Sequence, residues 1–150
     1  QGKLNVMILG SGEKQIENEL KELSGTYSNF ALDLGYKEYL SHKIYASSDF
    51  LLMPSRVEPC GLNQMYAMRY GTVPIVRYIG GLRDTVEDIS TGGSGINFGD
   101  ATAENAVNAM HRAMHIYHDH ELMKNLIQSN MDFDFSWDKS AHIYLELYRK

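Results

Sequence analysis

The sequence predicts an α/β fold: a parallel sheet with helices packed on both of its faces. Two observations carry this. Apolar runs too short for a helix alternate with segments whose apolar residues recur at helical spacing, in the order strand, helix, strand, helix. The runs are closed by glycine or proline, which end strands and open the loops between elements.

The elements follow in chain order. Residues 4 to 9 (LNVMIL) read as a buried strand ending at Gly10-Ser11-Gly12, and residues 13 to 24 place Ile16, Leu20 and Leu23 on one helical face. Phe30 to Leu34 is the next strand, and residues 37 to 48 are predicted helical with Tyr39, Leu40, Ile44 and Tyr45 inward. Asp49 to Ser55 is a strand stopped by Pro54, and residues 61 to 70 carry Leu62, Met65, Tyr66 and Met68 at helical spacing. Thr72 to Tyr78 is a further strand, followed by a helical turn near Asp84 to Asp88, a loop at 91 to 95 and a short strand at Gly95 to Phe98. The remainder is helical. Ala106, Val107, Met110, Ala113, Met114 and Tyr117 form one stripe, a second helix covers 121 to 131, and a last one holds Ala141, Tyr144, Leu145 and Tyr148 inward.

Composition narrows the function classes. With 150 residues, 43% of them apolar and 22% charged, one domain spanning 1–150 is expected. The single cysteine, Cys60, excludes an intramolecular disulfide framework and points to a reducing compartment, the cytoplasm. No apolar run reaches the roughly 20 residues of a membrane helix, so no membrane partner is expected. A net charge of −5 without clustered Lys and Arg argues against nucleic acid. It leaves room for a small phosphorylated ligand held by backbone N–H groups.

In open α/β sheets ligands sit beyond the carboxyl ends of the strands, which directs attention to residues 10–12, 35–37, 55–61 and 79–82. The densest signal is Arg56-Val57-Glu58-Pro59-Cys60-Gly61-Leu62-Asn63-Gln64, where a strand end passes an acid, a proline and a glycine into a helix start. Gly61 permits close approach of a ligand, and the free N–H groups of Gly61, Leu62 and Asn63 make an anion site. Glu58 upstream is placed to hydrogen-bond sugar hydroxyls; read structurally, it only favours the positive helix end.

The segment DFLLMPSRVEPCGLNQMYAMRYGTVPIVRYIGGLRDTV resembles the signature block of the glycogen and starch synthases, the family 5 glycosyltransferases. The likeness runs from ILGSG through GYKEYLSH to FSWDKSAHIYLELY. It implies the C-terminal, donor-binding half of a GT-B enzyme, a Rossmann-like domain whose first strand is expected to be missing from this chain. It also implies retaining transfer of glucose from ADP-glucose to the non-reducing end of an α-1,4-glucan, with no metal or other cofactor. The compartment is then the cytoplasm, or the plastid in a plant.

Carried over by the resemblance, Glu58 is the catalytic candidate that contacts the glucose hydroxyls. The backbone at Gly61, Leu62 and Asn63 receives the distal phosphate; Asn63 departs from the family's usual threonine or serine. Tyr36 matches an aromatic near the adenine, the alternative being an ordinary strand-end tyrosine. Tyr66 stands where related GT-B families place a second acid, and is either a nucleoside contact or a core aromatic. Gly80 and Gly81 match a glycine pair near the donor, with Ile79 in place of threonine; a tight turn explains both equally. Cys60 lines the site and is not expected to be a nucleophile, since no histidine lies near it in sequence.

Three other patterns are expected to carry no chemistry. Gly10-Ser11-Gly12 lacks the third glycine of a dinucleotide fingerprint, because position 15 is Gln. Asp132-Phe133-Asp134 falls between helices, and His111, His115 and His118 border an apolar stripe rather than a metal.

The resemblance further implies that the Arg and Lys on the diphosphate, and the lysine-glycine-glycine motif and glucan groove of an N-terminal domain, lie before Gln1. The chain alone is therefore expected to be inactive. The alternatives are a GT-B transferase using a UDP-sugar, a non-catalytic nucleotide- or glucan-binding module, and a flavodoxin-like signalling domain.

Overall fold

The computed structural model describes residues 4–149. They divide into two compact units whose boundary falls between Ile44 and Tyr45. The fold is α/β with parallel strand pairing in both units.

In the first unit, β1 (Val6–Gly10), α1 (Lys14–Thr26) and β2 (Phe30–Leu34) form a βαβ crossover, followed by α2 (Glu38–Ser47), which runs across the boundary. β1 and β2 pair in parallel with Val6 opposite Phe30 and Gly10 opposite Leu34. The strand expected to be buried is only half-buried: Met7 is exposed, as are Ile16 and Leu23 of α1. Tyr39, expected inward, is 75% exposed, with the Lys43 ammonium 4.5 Å from its ring centre. A cation over the ring face gives a surface tyrosine a partner without burial.

The second unit contains β3 (Phe50–Met53), α3 (Asn63–Arg69), β4 (Val73–Arg77), α4 (Gly80–Thr85), a 3₁₀ turn (Ile89–Thr91), β5 (Ile96–Phe98), α5 (Ala103–His118), α6 (His120–Asp132) and α7 (Trp137–Tyr148). Its strands pair in parallel in the order β3-β4-β5. Side chains alternate across a strand, so the apolar run of β4 feeds two cores. Val73 and Ile75 join Ile96, Phe98, Ala109, Ala113, Ile116, Met123 and Leu126, the side covered by α5 and α6. Val76 joins Met53, Met68, Leu82 and Val86, the side covered by α3 and α4. Full burial of a Val, Leu, Ile or Met such as Val73, Val76, Leu82, Ile96 or Met68 stabilises the fold by about 1.5–3 kcal/mol.

Pro74 in the middle strand is the exception that needs a reason, because proline cannot donate to a ladder. The Val73 N–H donates to Asp49 O (3.0 Å) towards β3, so position 74 faces β5. The β5 ladder begins only at Ile75 opposite Ile96, and no donor is needed at Pro74.

Several helical expectations shift. The turn placed near 84–88 is α4 at Gly80–Thr85, hidden because two glycines, poor helix formers, open it. Val107 and Tyr117 are exposed, and the inward face of α5 is Ala109, Ala113 and Ile116. Tyr144, Leu145 and Tyr148 of α7 are exposed as well. Periodicity shows that a helix has an apolar face; it does not supply the surface that covers it.

Candidate functional site

The loop after β3 is held from below by an arginine. Arg77 Nη1 donates to Ser55 O (3.3 Å) and Arg56 O (2.8 Å), and Nε donates to Gly99 O (2.9 Å). Ser55 Oγ donates to Glu58 Oε2 at 3.2 Å, and the Glu58 side chain is half-buried. The hydroxyl orients one carboxylate oxygen and leaves the other its full acceptor capacity for a hydroxyl-bearing ligand.

The backbone of this loop is pressed against the start of α4. The Gly81 N–H donates to Glu58 O at 3.0 Å. A Cβ on Gly80 would lie 1.8 Å from Glu58 O, and one on Gly81 would lie 2.2 Å from Cys60 O. Gly80 and Gly81 are thus required by close approach, not only by turn geometry, and they fix the peptide groups that carry Glu58 and Cys60.

Beyond Cys60 the chain turns through Gly61 at φ +73°, a conformation that favours glycine. Among the described residues, the N–H groups of Gly61, Leu62 and Asn63 have no protein acceptor, while Leu62 O accepts from the Tyr66 N–H at 3.0 Å. Three successive free donors at the mouth of a helix are suited to an anion. Leu62 and Asn63 are exposed, and so is the free thiol Cys60.

Tyr66 is not core. It is 46% exposed and its ring is tilted against Tyr45, 6.3 Å between centres, while Tyr45 stacks on Tyr70 at 6.3 Å. Burial first, then the neighbouring Tyr66, raises the Tyr45 phenol above its ordinary range. The second unit therefore brings together Glu58, Cys60, Gly61, Leu62, Asn63, Gly80 and Gly81, while the Tyr66 ring, one turn along α3, packs against Tyr45. Tyr36 belongs to the first unit, where it follows Gly35 (φ +112°) at the end of β2 with 87% of its surface exposed.

Four supporting residues escaped sequence reasoning: Ser55, Arg77, Gln64 and Thr85. Only Gln64 left a signal. It occupies an inward position of α3 with Ala67 and Met68 three and four residues on, where an apolar side chain is normal.

The remaining motifs are accounted for locally. Glu17 Oε1 accepts from the Gly12 N–H at 3.3 Å, so a carboxylate already occupies the glycine turn after β1. Asp134 accepts from the Ser136 N–H (2.8 Å) ahead of α7, and bonds from Ser136 hold its carboxyl below the usual range. His111, His115 and His118 are exposed, and no group of metal-binding side chains occurs among the described residues. No helix there is long and apolar enough to cross a membrane. A cleft of about 1020 Å³ opens between α4 and the 87–94 turn, but its lining includes neither Glu58 nor Gly61.

Known proteins resemble this chain in sequence and fold. The glycogen synthase of Flavobacterium johnsoniae is 48% identical over 147 residues, covering 97% of this chain and 31% of the relative. The catalytic domain of starch synthase IV from Arabidopsis thaliana, solved bound to ADP and acarbose, superposes with a TM-score of 0.87 at 39% identity over 99% of this chain and 32% of its own. Sucrose-phosphate synthase from Thermosynechococcus elongatus shares the fold, with a TM-score of 0.71 at 22% identity over 95% of this chain and 37% of its own. The chain thus spans about a third of the length of the glycogen synthase and starch synthase it matches. Residues 1–131 match the family model of glycosyl transferases group 1, and with this coverage and the fold in agreement the chain belongs to that family.

Proposed function

We propose that the chain is the nucleotide-sugar-binding part of a retaining glucosyltransferase that moves glucose from ADP-glucose to the non-reducing end of an α-1,4-glucan, the activity of a glycogen or starch synthase. The observation that carries this reading is the backbone cradle: Gly80 and Gly81 seat against Glu58 and Cys60, and the N–H groups of Gly61, Leu62 and Asn63 are left free beside a carboxylate. In this reading the free donors hold the diphosphate, whose negative charge grows as the glycosidic bond to glucose breaks. Glu58 binds sugar hydroxyls, Tyr66 serves the nucleoside, and Cys60 lines the site without forming a bond to substrate.

Support for the adenine nucleotide comes from the starch synthase relative, which was solved with ADP. The glucan groove belongs to a further domain of the longer enzyme, so these residues alone bind donor weakly and transfer no glucose. The reaction needs no metal and belongs to a reducing compartment, the cytoplasm or a plastid. Amide NMR titration with ADP, ADP-glucose and UDP-glucose tests the reading. Shifts centred on residues 58–63 and 80–82, stronger for the adenine nucleotides, are expected; shifts confined elsewhere would sink it.

A further inference from the structure

We infer that Gln64 is a positioning residue that aims the phosphate-binding N–H groups, an inference that rests on the donor-site reading above. Gln64 is fully buried, on the face of α3 that also buries Ala67 and Met68. Its Nε2 donates to Gly61 O (3.0 Å) and to Thr85 Oγ1 (2.9 Å), with Cys60 O at 3.4 Å. Thr85 Oγ1 in turn donates to Gly81 O at 2.8 Å. One carboxamide thus ties the carbonyls of Cys60 and Gly61 to α4, and through Thr85 to the glycine that packs on Cys60.

The consequence follows from peptide geometry. In a trans peptide the C=O and the next residue's N–H point in opposite directions. Drawing the Cys60 and Gly61 carbonyls inward to Gln64 therefore turns the Gly61 and Leu62 N–H groups outward, where no protein acceptor meets them. Gln64 Oε1 meanwhile has no hydrogen-bond partner among the described residues, and a Cβ on Gly61 would lie 2.6 Å from it. A buried acceptor left unpaired is costly, and an apolar side chain of the same shape would avoid that cost. The position keeps a glutamine for its donors.

The test replaces the donors and retains the shape. Gln64→Met is expected to weaken binding of both ADP and inorganic pyrophosphate by about tenfold or more, because both bind through phosphate. Backbone ¹⁵N order parameters at Gly61 and Leu62 should fall in the same variant, with those of the β4 core unchanged. A mere packing role would lower the melting temperature and leave pyrophosphate affinity and the two amides as they were. Unchanged affinity in folded Gln64→Met overturns the inference while leaving the donor site intact. If the unaltered chain binds neither ligand, the donor-site reading fails, and the order parameters alone decide whether Gln64 orients the loop. Should Gln64→Met not fold, Thr85→Val, which removes one partner, is measured identically; a smaller loss in the same direction supports the inference and no loss overturns it.

Discussion

Gly81 and Cys60 meet backbone to backbone: a side chain on Gly81 would place its Cβ 2.2 Å from the Cys60 carbonyl oxygen and 2.5 Å from its Cα. Neither contact can be relieved by rotating a side chain. The start of α4 and the loop that carries Glu58 must therefore separate before any larger residue fits.

Gly81→Ala is accordingly expected to destabilise the second unit by about 1–3 kcal/mol, the usual range for overpacking. Gly80→Ala should cost more, since its Cβ would lie 1.8 Å from Glu58 O and its φ is +50°. Urea midpoints of the three proteins provide the check. An unshifted midpoint for Gly81→Ala would mean that the two backbones are not in contact.

Glu58→Gln preserves shape and removes the negative charge. Ser55 Oγ is its side-chain partner at 3.2 Å, so the melting temperature should move by no more than a few degrees. In the full-length transferase, glucose transfer should fall by about 10²-fold or more, seen in kcat more than in KM. Near-normal kcat in this variant would remove Glu58 from the catalytic machinery.

Asp88 ties the 3₁₀ turn to α5 and β5. Burial alone would raise its carboxyl pKa, but the Arg112 guanidinium (2.7 Å), the Asn97 N–H (2.7 Å), and the Ser90 hydroxyl and N–H together hold it far below the carboxylate range. A folded pKa depressed below the unfolded value of about 3.9 stabilises the fold above that value, and the stabilisation is lost as pH falls further. Asp88→Asn should therefore cost roughly 1–3 kcal/mol at neutral pH and show a flatter stability profile between about pH 4 and pH 2 than the unaltered chain. Urea unfolding across that range measures both; parallel profiles would contradict the assignment.

Cys60 is exposed, and no histidine is among its hydrogen-bond partners in the described residues. Cys60→Ser in the full-length enzyme should retain transfer within about tenfold, because a covalent nucleophile replaced by a weak one costs far more. Loss of several orders of magnitude would reinstate the thiol as a participant.

Much of the fold was legible because its signals are local. Thr72 to Tyr78 read as a strand of a parallel sheet with helices on both faces, and β4 (Val73–Arg77) has helices packed on each of its faces. Pro54 ended β3 as expected, and the alternation of elements matched the parallel pairing. The side chains expected inward but found exposed share one cause. Tyr39, Tyr144 and Tyr148 sit at helical spacing yet are exposed, because periodicity identifies a face without identifying what packs on it.

At the candidate site, the sequence by itself marked Glu58 and Gly61 on a loop between a strand and a helix, and the resemblance added Gly80 and Gly81, which a tight turn explained equally. Only the tertiary structure decided how they work together. Residues more than twenty positions apart press two backbones into contact, Arg77 holds the loop from the neighbouring strand, and Gln64 reaches Thr85 across 21 positions. Such contacts depend on the sheet that brings distant loops to one end, and no local pattern of residues encodes a distance of that kind.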